Sequence, residues 1–196
     1  MRAGFYSVTV LLMLLGSATA NEPHQYHSKY AGQEKRLIKS LSPDDVQQLK
    51  QGKGWGLAKA AELNGMPGPA HVLEMKDKIS LSKQQTEQIQ ALFNEMKSQA
   101  MPLGNKLIEL EKKLNEAFAN RTINDKDLKK QLSEIAQVRS ELRYVHLVTH
   151  LKTPAILTKH QVMQYNQLRN YSSGDPCKIV PAGHDARTWK QHNDCR

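Results

Sequence analysis

Apolar residues recur at three- and four-residue steps for more than thirty residues after Ser82, which is the period of an amphipathic helix. The residues of this stripe are Ile89, Leu92, Phe93, Met96, Ala100, Leu103, Leu107, Leu110, Leu114 and Phe118. Pro102 lies in the middle of the stripe and is expected to bend the helix, because proline removes a backbone hydrogen bond from a helix interior. The pattern therefore predicts one long, bent helix.

A second helical stripe follows the turn segment "ANRTIND", in which Asn124 or Asp125 is the predicted N-cap. Its apolar positions are Leu128, Leu132, Ile135, Leu142 and Val145. This helix is expected to end near Thr153, and a last helix is predicted from Thr158 to about Tyr171. No stretch alternates with period two for long enough to predict a strand. We therefore predict an all-α fold built on a long bent antiparallel helical hairpin.

Shorter helices flank the hairpin. The segment "SPDDVQQLKQG" begins with an N-cap serine and ends in Gly52, "GWGLAKAAELNG" ends in Gly65, and a third helix is predicted after Pro69. We divide the chain into a flexible leader (21–41), short helices (42–64), a hairpin domain (65–171) and a tail (172–196). Because two long helices cannot bury both stripes alone, we expect a homodimer to cover what remains.

The first twenty residues predict export. Arg2 is followed by an apolar run to Leu15 and by Ala18-x-Ala20, which together describe a secretory signal peptide (1–20). The whole chain carries a net charge of +9, and removing the segment that contains Arg2 lowers it to +8. We expect a soluble periplasmic protein with envelope surfaces or unfolded or acidic proteins, and not nucleic acid, as partners. An alternative is that the charge only keeps the chain soluble.

Two pentapeptides have the form Leu-Ser/Thr-x-x-Gln. They are "LSKQQ", with Leu81, Ser82 and Gln85, and "LTKHQ", with Leu157, Thr158 and Gln161. Physically each is a capping box, in which the hydroxyl and the glutamine satisfy backbone groups at a helix start, while the leucine is placed as a hydrophobic staple.

Two such boxes flanking a long hairpin in an exported basic chain resemble the LTxxQ signatures of the Spy/CpxP/ZraP family of periplasmic stress proteins. The resemblance covers residues 65–171, and Ser82 departs mildly from the family's threonine. It implies a bent hairpin that dimerises into a cradle. It also implies ATP-independent chaperone activity in some members and heavy-metal binding in others.

The chain is also similar to the CnrX-like metal sensors, which use paired His and Met ligands together with a carboxylate. The matching pairs here are His71-x3-Met75 and His146-x3-His150, with the residue types exchanged, and Glu95 is the nearest carboxylate. The resemblance implies a Cu, Ni, Co or Zn site. A sensor role would add a membrane signalling protein as a partner.

His146 and His150 lie within about 40° of Leu128 when each residue advances a helix by about 100°. The pair therefore continues the inward stripe, and a purely solvating role is disfavoured. Two interpretations remain open. The residues are metal ligands facing a partner helix, or they are core histidines that hydrogen-bond across the hairpin.

Cys177 and Cys195 are the two cysteines, and in an exported chain such a pair favours a disulfide. A Cys2His2 zinc site with His184 and His192 is the alternative, although the spacing C-x6-H-x7-H-x2-C matches no common zinc finger. The disulfide would close the tail into a lobe pinned by Pro176 and Pro181.

The leading hypothesis is a periplasmic ATP-independent chaperone that holds unfolded or acidic clients and needs no cofactor. Basic residues on one dimer face, namely Lys97, Lys106, Arg139 and Arg143, are expected to steer clients. The alternative is a heavy-metal sensor or metal-binding protein. No catalytic set is recognisable in the sequence, and we expect no enzymatic activity.

Overall fold

The computed structural model describes residues 28–171, 177–178, 180, 183–192 and 195. The chain divides into two units, residues 1–32 and residues 33–196. Residues 28–32 of the first unit form a turn. The described part of the second unit is helical and contains no strand. Its α-helices are α1 Pro43–Lys50, α2 Lys59–Glu62, α3 Pro69–Glu74, α4 Lys83–Ala119, α5 Asp125–Lys152, α6 Lys159–Leu168 and α7 Ala186–His192.

The two long helices confirm the predicted hairpin. Helix α4 has 37 residues and continues through Pro102, α5 has 28 residues, and the two pack against each other. Asn124 is the N-cap of α5, where its side chain accepts a hydrogen bond from the Asp127 backbone N–H. A 3-10 turn, Thr153–Ala155, ends α5 at the predicted proline. Local capping chemistry therefore sets the ends of both long helices.

The middle of the hairpin packs in one core cluster against α1, the segment before it and the loop after it. Helices α1 and α3 contact α4, and α2 contacts α5. The structure differs here from the predicted flexible leader, because Ile38 and Leu41 are buried in this cluster together with Leu49 and Leu107. Isolated apolar residues in a polar stretch give no periodic signal, but they bury well against a hairpin that offers uncovered apolar surface.

A second cluster joins the start of α4 to α6. Its buried residues are Val72, Ile79, Ile89, Leu157 and Tyr165, and Leu81 packs against them. The leucines of both pentapeptides therefore lie in or against one core, as expected of staples.

Not every predicted stripe position is buried. Leu132 and Phe118, on α5 and α4, are 48% and 55% exposed. Two packed helices bury a narrow seam, so side chains at the edge or end of a stripe remain in solvent.

The disulfide Cys177–Cys195 is present, which confirms the predicted pairing over a zinc site. Between the two cysteines in sequence, the ring of His184 packs edge-on against Trp189, with the ring centroids 4.8 Å apart. The predicted signal peptide, Pro176 and Pro181 lie outside the described residues. Within the described part of the chain, no helix has the length and hydrophobicity needed to cross a membrane.

Candidate functional site

A cleft of about 470 Å³ brings three of the predicted ligands together. Its walls come from the loop after α1, from α3, from one side of α4 and from the C-terminal half of α5. His71, His146 and His150 all line it, with Phe93 and Met96 on the α4 side. Segments that are far apart in sequence therefore share one site, which we call the histidine cleft.

His150 is held in a fixed orientation. It is 7% exposed, and its Nδ1 lies 2.8 Å from the backbone oxygen of Met66. Because a carbonyl only accepts, Nδ1 donates, and the neutral ring carries its lone pair on Nε2. Gly68 packs directly on the ring, since a Cβ at this position would lie 2.5 Å from both Cε1 and Nε2. The segment before α3 thus positions the imidazole.

His146 has a buried ring nitrogen without a hydrogen-bond partner. The residue is 4% exposed, and no described group bonds to its Nε2. Burial, with a smaller contribution from the charge of His150, lowers the pKa of His146 to about 4. The ring is therefore neutral at physiological pH. An unsatisfied buried polar atom costs roughly 1–3 kcal/mol, which a ligand in the cleft would recover.

His71 lies in an acidic corner of the cleft. Its Nε2 is 3.4 Å from Glu62 Oε1, and its Nδ1 is 2.9 Å from Glu74 Oε2. Glu62 also binds Arg169 and accepts a 2.9 Å hydrogen bond from the Tyr171 hydroxyl. Although burial opposes the shift, the Tyr171 hydrogen bond and the charges of His71 and Arg169 lower the pKa of Glu62. This network ties α2 and α3 to the end of α6.

The other two predicted ligands do not line the cleft. Met75 packs against the second core cluster. Glu95 lies on another side of α4, where its Oε1 is 3.6 Å from Lys152 Nζ. Among the described residues no group of three or more His, Cys, Asp or Glu side chains is arranged to hold a metal ion. The histidine cleft therefore supplies imidazoles without a complete set of such ligands in this conformation.

Three of the four predicted client-binding residues lie near the cleft. Lys97 lines it, with Nζ 5.8 Å from the centre of the Phe93 ring. The Arg139 guanidinium stacks over Trp55, in the loop that forms one cleft wall, at 4.9 Å. Arg143 follows one turn after Arg139 on α5. Lys106 is nine residues from Lys97, which places it about 180° away around α4 and on the opposite side.

The two pentapeptides form the predicted capping boxes and also contact each other. In each box the hydroxyl accepts from the glutamine N–H, and the glutamine Oε1 accepts from the N-cap N–H. Gln85 Nε2 donates to Gln161 Oε1 at 2.9 Å, and Gln161 Nε2 donates back to Gln85 Oε1 at 3.0 Å. Their remaining amide protons reach the backbone oxygens of Ile156 and Ser80. The starts of α4 and α6 are therefore joined by a closed amide network.

Sequence reasoning missed a second apolar stripe on α5. Tyr144 and Leu151 are 66% and 65% exposed, and Leu147 and Val148 are half-buried on the same side of the helix. We call these four residues the outer α5 stripe. Their spacing of i, i+3, i+4 and i+7 is present in the sequence, but the inward stripe, which runs along the same turns of α5, hides it.

Comparison with protein families, curated proteins and solved structures finds no match for this chain. The resemblance to the Spy/CpxP/ZraP family therefore stays a prediction from the two pentapeptides and the hairpin.

Proposed function

We propose that this chain is an exported, ATP-independent chaperone that holds unfolded or acidic segments of envelope proteins. The observation that carries the proposal is the histidine cleft itself, a partly apolar cavity with cationic side chains at its α4 and loop walls and an acidic corner formed by Glu62 and Glu74. Lys53 and Lys97 line its wall, and Arg139 sits over the Trp55 ring close by. Apolar surface holds an unfolded segment, and the surrounding positive charge attracts acidic ones.

The pairing of cations with aromatic rings suits this role. Lys97 lies over Phe93 and Arg139 over Trp55, so each charge adjoins apolar surface. The loop carrying Trp55 is fixed by a 2.7 Å hydrogen bond from Trp55 Nε1 to Asp45 Oδ1. A surface that combines fixed rings with long cationic side chains adapts to many sequences without requiring a defined partner shape.

The test is suppression of aggregation of an unfolded acidic client at low salt. We expect suppression near stoichiometric amounts, weakening as salt rises. Lys97→Glu should weaken client binding by roughly tenfold, which corresponds to about 1.4 kcal/mol. Lys106→Glu is the matched control, because it makes the same charge change on the opposite side of α4 and should suppress like the wild type. No suppression by the wild type, or equal losses in both variants, would overturn the proposed cleft.

A second candidate function is transition-metal binding in the same cleft. The specific observation in its favour is the unpartnered Nε2 of buried His146, four residues before His150. The Nδ1–H of His150 donates a hydrogen bond to the backbone oxygen of Met66, and such a bond is the usual support for an imidazole that binds a metal through Nε2. Cu, Ni, Co or Zn suit imidazole ligands. A third protein ligand would require His71 to leave its two carboxylates.

Calorimetry with zinc, copper, nickel and cobalt salts tests this second function. We expect binding by the wild type, loss of most of the heat in His146→Ala, and retention in His160→Ala, whose imidazole is exposed on α6. Equal heats in the wild type and His146→Ala would leave His146 as a core residue only.

A further inference from the structure

The histidine cleft is covered. His146 and His150 line it but are only 4% and 7% exposed, and the unpartnered Nε2 of His146 is buried. To contact more than the edges of these rings, a ligand needs one wall of the cleft to move. Three walls belong to helices, and two of these, α4 and α5, pack along each other. The fourth wall is the segment after α1, residues 52–57, which we call the Trp55 loop.

The Trp55 loop has a strained backbone. Gly52 and Gly56 have φ angles of 62° and 70°, which glycine adopts without strain. Trp55 lies between them with a φ of 42°, in the left-handed region that disfavours a residue with a bulky side chain. Such a conformation persists only where surrounding contacts hold it, and it is common in ligand clamps and switch regions. The contacts that hold Trp55 therefore decide the position of this wall.

Two side-chain contacts hold Trp55, and we call them the Trp55 latch. Its Nε1–H donates a 2.7 Å hydrogen bond to Asp45 Oδ1, and the Arg139 guanidinium lies over the ring at 4.9 Å. The other oxygen of Asp45 accepts from the backbone N–H and the hydroxyl of Ser42, at 2.8 and 2.6 Å. The carboxylate is thus fixed by the N-cap of α1, and the latch joins the loop to two separate helices.

The ends of the Trp55 loop are anchored, whereas its middle is loosely packed. Gly52 lies against α4, where a Cβ would be 3.1 Å from Met101 Cγ, and Leu57 is buried in the first core cluster. At Gly54, by contrast, nothing lies within 4 Å of the Cβ position. Glycines on both sides of Trp55 can absorb the backbone rotation of a hinge. The middle of the loop is therefore free to move between its two ends once the latch is broken.

We propose that the Trp55 loop is the gate of the histidine cleft and that the Trp55 latch keeps it closed. In the open state Trp55 and Gly56 leave the left-handed region, the loop swings away, and the rings of His146 and His150 become accessible. A client binds the open state, so the open fraction sets its apparent affinity. As the regulation of the client site, the gate rests on the proposed function, but its opening is measured without a client.

The rate at which diethyl pyrocarbonate acylates His146 tests the gate, with mass spectrometry to locate the modified rings. In the wild type this rate should be well below that of His160, which is exposed. Trp55→Phe keeps an aromatic ring but removes the N–H donor. It should raise the His146 rate at least roughly tenfold, because the lost hydrogen bond has a charged acceptor.

Two glycines of the loop provide a matched pair of variants. Gly56→Ala should raise the His146 rate at least roughly fivefold, because alanine disfavours the left-handed φ of the closed loop. Gly54→Ala should leave the rate unchanged, because its φ is not left-handed and its Cβ position is open. Asn124→Ala removes a cap at the opposite end of α5, so it lowers global stability without touching the gate and should also leave the rate unchanged.

Equal His146 rates in the wild type, Trp55→Phe and Gly56→Ala would overturn the gate, as would an equal rise in Gly54→Ala or Asn124→Ala. Trp55→Phe should also suppress client aggregation at lower amounts than the wild type, because a larger open fraction tightens binding. A merely structural Trp55 predicts weaker suppression, and that result would overturn the gate's control of client binding. If the wild type suppresses no aggregation, the proposed function fails, and the acylation rates still decide whether the gate exists.

Discussion

At the scale of single residues, the histidine cleft contains a group that the fold stabilises poorly. Nothing described bonds to the buried Nε2 of His146, and the charge of His150 further disfavours protonation. A residue chosen only for packing would not need an imidazole at this position. The lowered pKa of His146 also makes the free energy of unfolding depend on pH.

The pH prediction follows from the lowered pKa of His146. Its pKa is about 4 in the folded chain against an ordinary value of 6.5. As pH falls from about 6.5 to about 4, the unfolded state takes up a proton that the folded state does not, so the free energy of unfolding falls by up to about 3 kcal/mol. Above pH 6.5 the residue contributes no pH dependence.

Urea titrations should show His146→Leu losing less stability than the wild type between pH 7.5 and pH 5. His160→Gln is the control and should follow the wild type, and parallel curves for His146→Leu would contradict the prediction.

Gly104 gives a prediction about the contact of α1 with α4. A Cβ at this position would lie 2.3 Å from the backbone oxygen of Leu49, which is itself in the core. Gly104→Ala should therefore lower the free energy of unfolding by about 1–3 kcal/mol, even though alanine favours a helix interior by about 1 kcal/mol. Gly54→Ala is the matched control, because nothing lies within 4 Å of its Cβ position and its φ is not in the left-handed region. If the two variants melt at the same temperature, α1 moves away from the added methyl group without loss of stability, and the prediction is wrong.

At the scale of helices, the amide network between the two pentapeptides makes capping a tertiary interaction. Gln85→Ala should lower the free energy of unfolding by about 2 kcal/mol. This is more than the loss of an ordinary cap, because the change also removes a hydrogen bond to Gln161 and one to the Ile156 carbonyl. Asn124→Ala is the comparison, since the Asn124 side chain caps its own exposed helix end and should cost about 1 kcal/mol.

A double-mutant cycle with Gln161→Ala isolates the contact between the helices. The double variant should lose less than the sum of the single losses, by about 1 kcal/mol, because the shared hydrogen bonds are removed only once. Additive losses would mean that each box stabilises only its own helix.

The helices were predictable from sequence where local chemistry decides. Ser82 and Thr158 begin their helices with the expected capping boxes, Ser42 is the expected N-cap of α1, and the long stripes follow the expected period. What the sequence could not reveal depends on residues that are distant along the chain. The burial of Ile38 belongs to this class, because no periodic signal marks which surface an isolated apolar residue will find.

In the candidate site, too, local features were predictable from the sequence and contacts between distant residues were not. The inward orientation of His146 and His150 was predictable from helical angle alone. The partners of the ring nitrogens were not, because His150 bonds to Met66 in a loop 84 residues earlier and not across the hairpin. The predicted ligands come together only in part. His71, His146 and His150 meet in the cleft, whereas the register of α4 turns Glu95 toward Lys152.

At the scale of the whole chain, the disulfide closes a tail that carries none of the long apolar stripes. The tail is tied to α6 by a 3.0 Å hydrogen bond from Lys159 Nζ to the backbone oxygen of His192. A disulfide that closes a loop of this length contributes roughly 3 kcal/mol through the unfolded state. Because Cys177 and Cys195 are its ends and neither long helix contains a cysteine, reduction should loosen the tail alone.

The last prediction compares reduced and oxidised protein. Reduction, or the double change Cys177→Ser and Cys195→Ser, should leave the far-ultraviolet circular dichroism nearly unchanged, because α4 and α5 supply most of the helix. Limited trypsin digestion should then cleave faster at Arg187 and Lys190, inside α7, while sites in the hairpin stay protected. Cys177→Ser alone is a poor control because it leaves a reactive thiol, so the double variant is the matched one. A large loss of helicity on reduction would mean that the tail supports the hairpin core, and the closed lobe would then be part of the fold's stability and not an appendage to it.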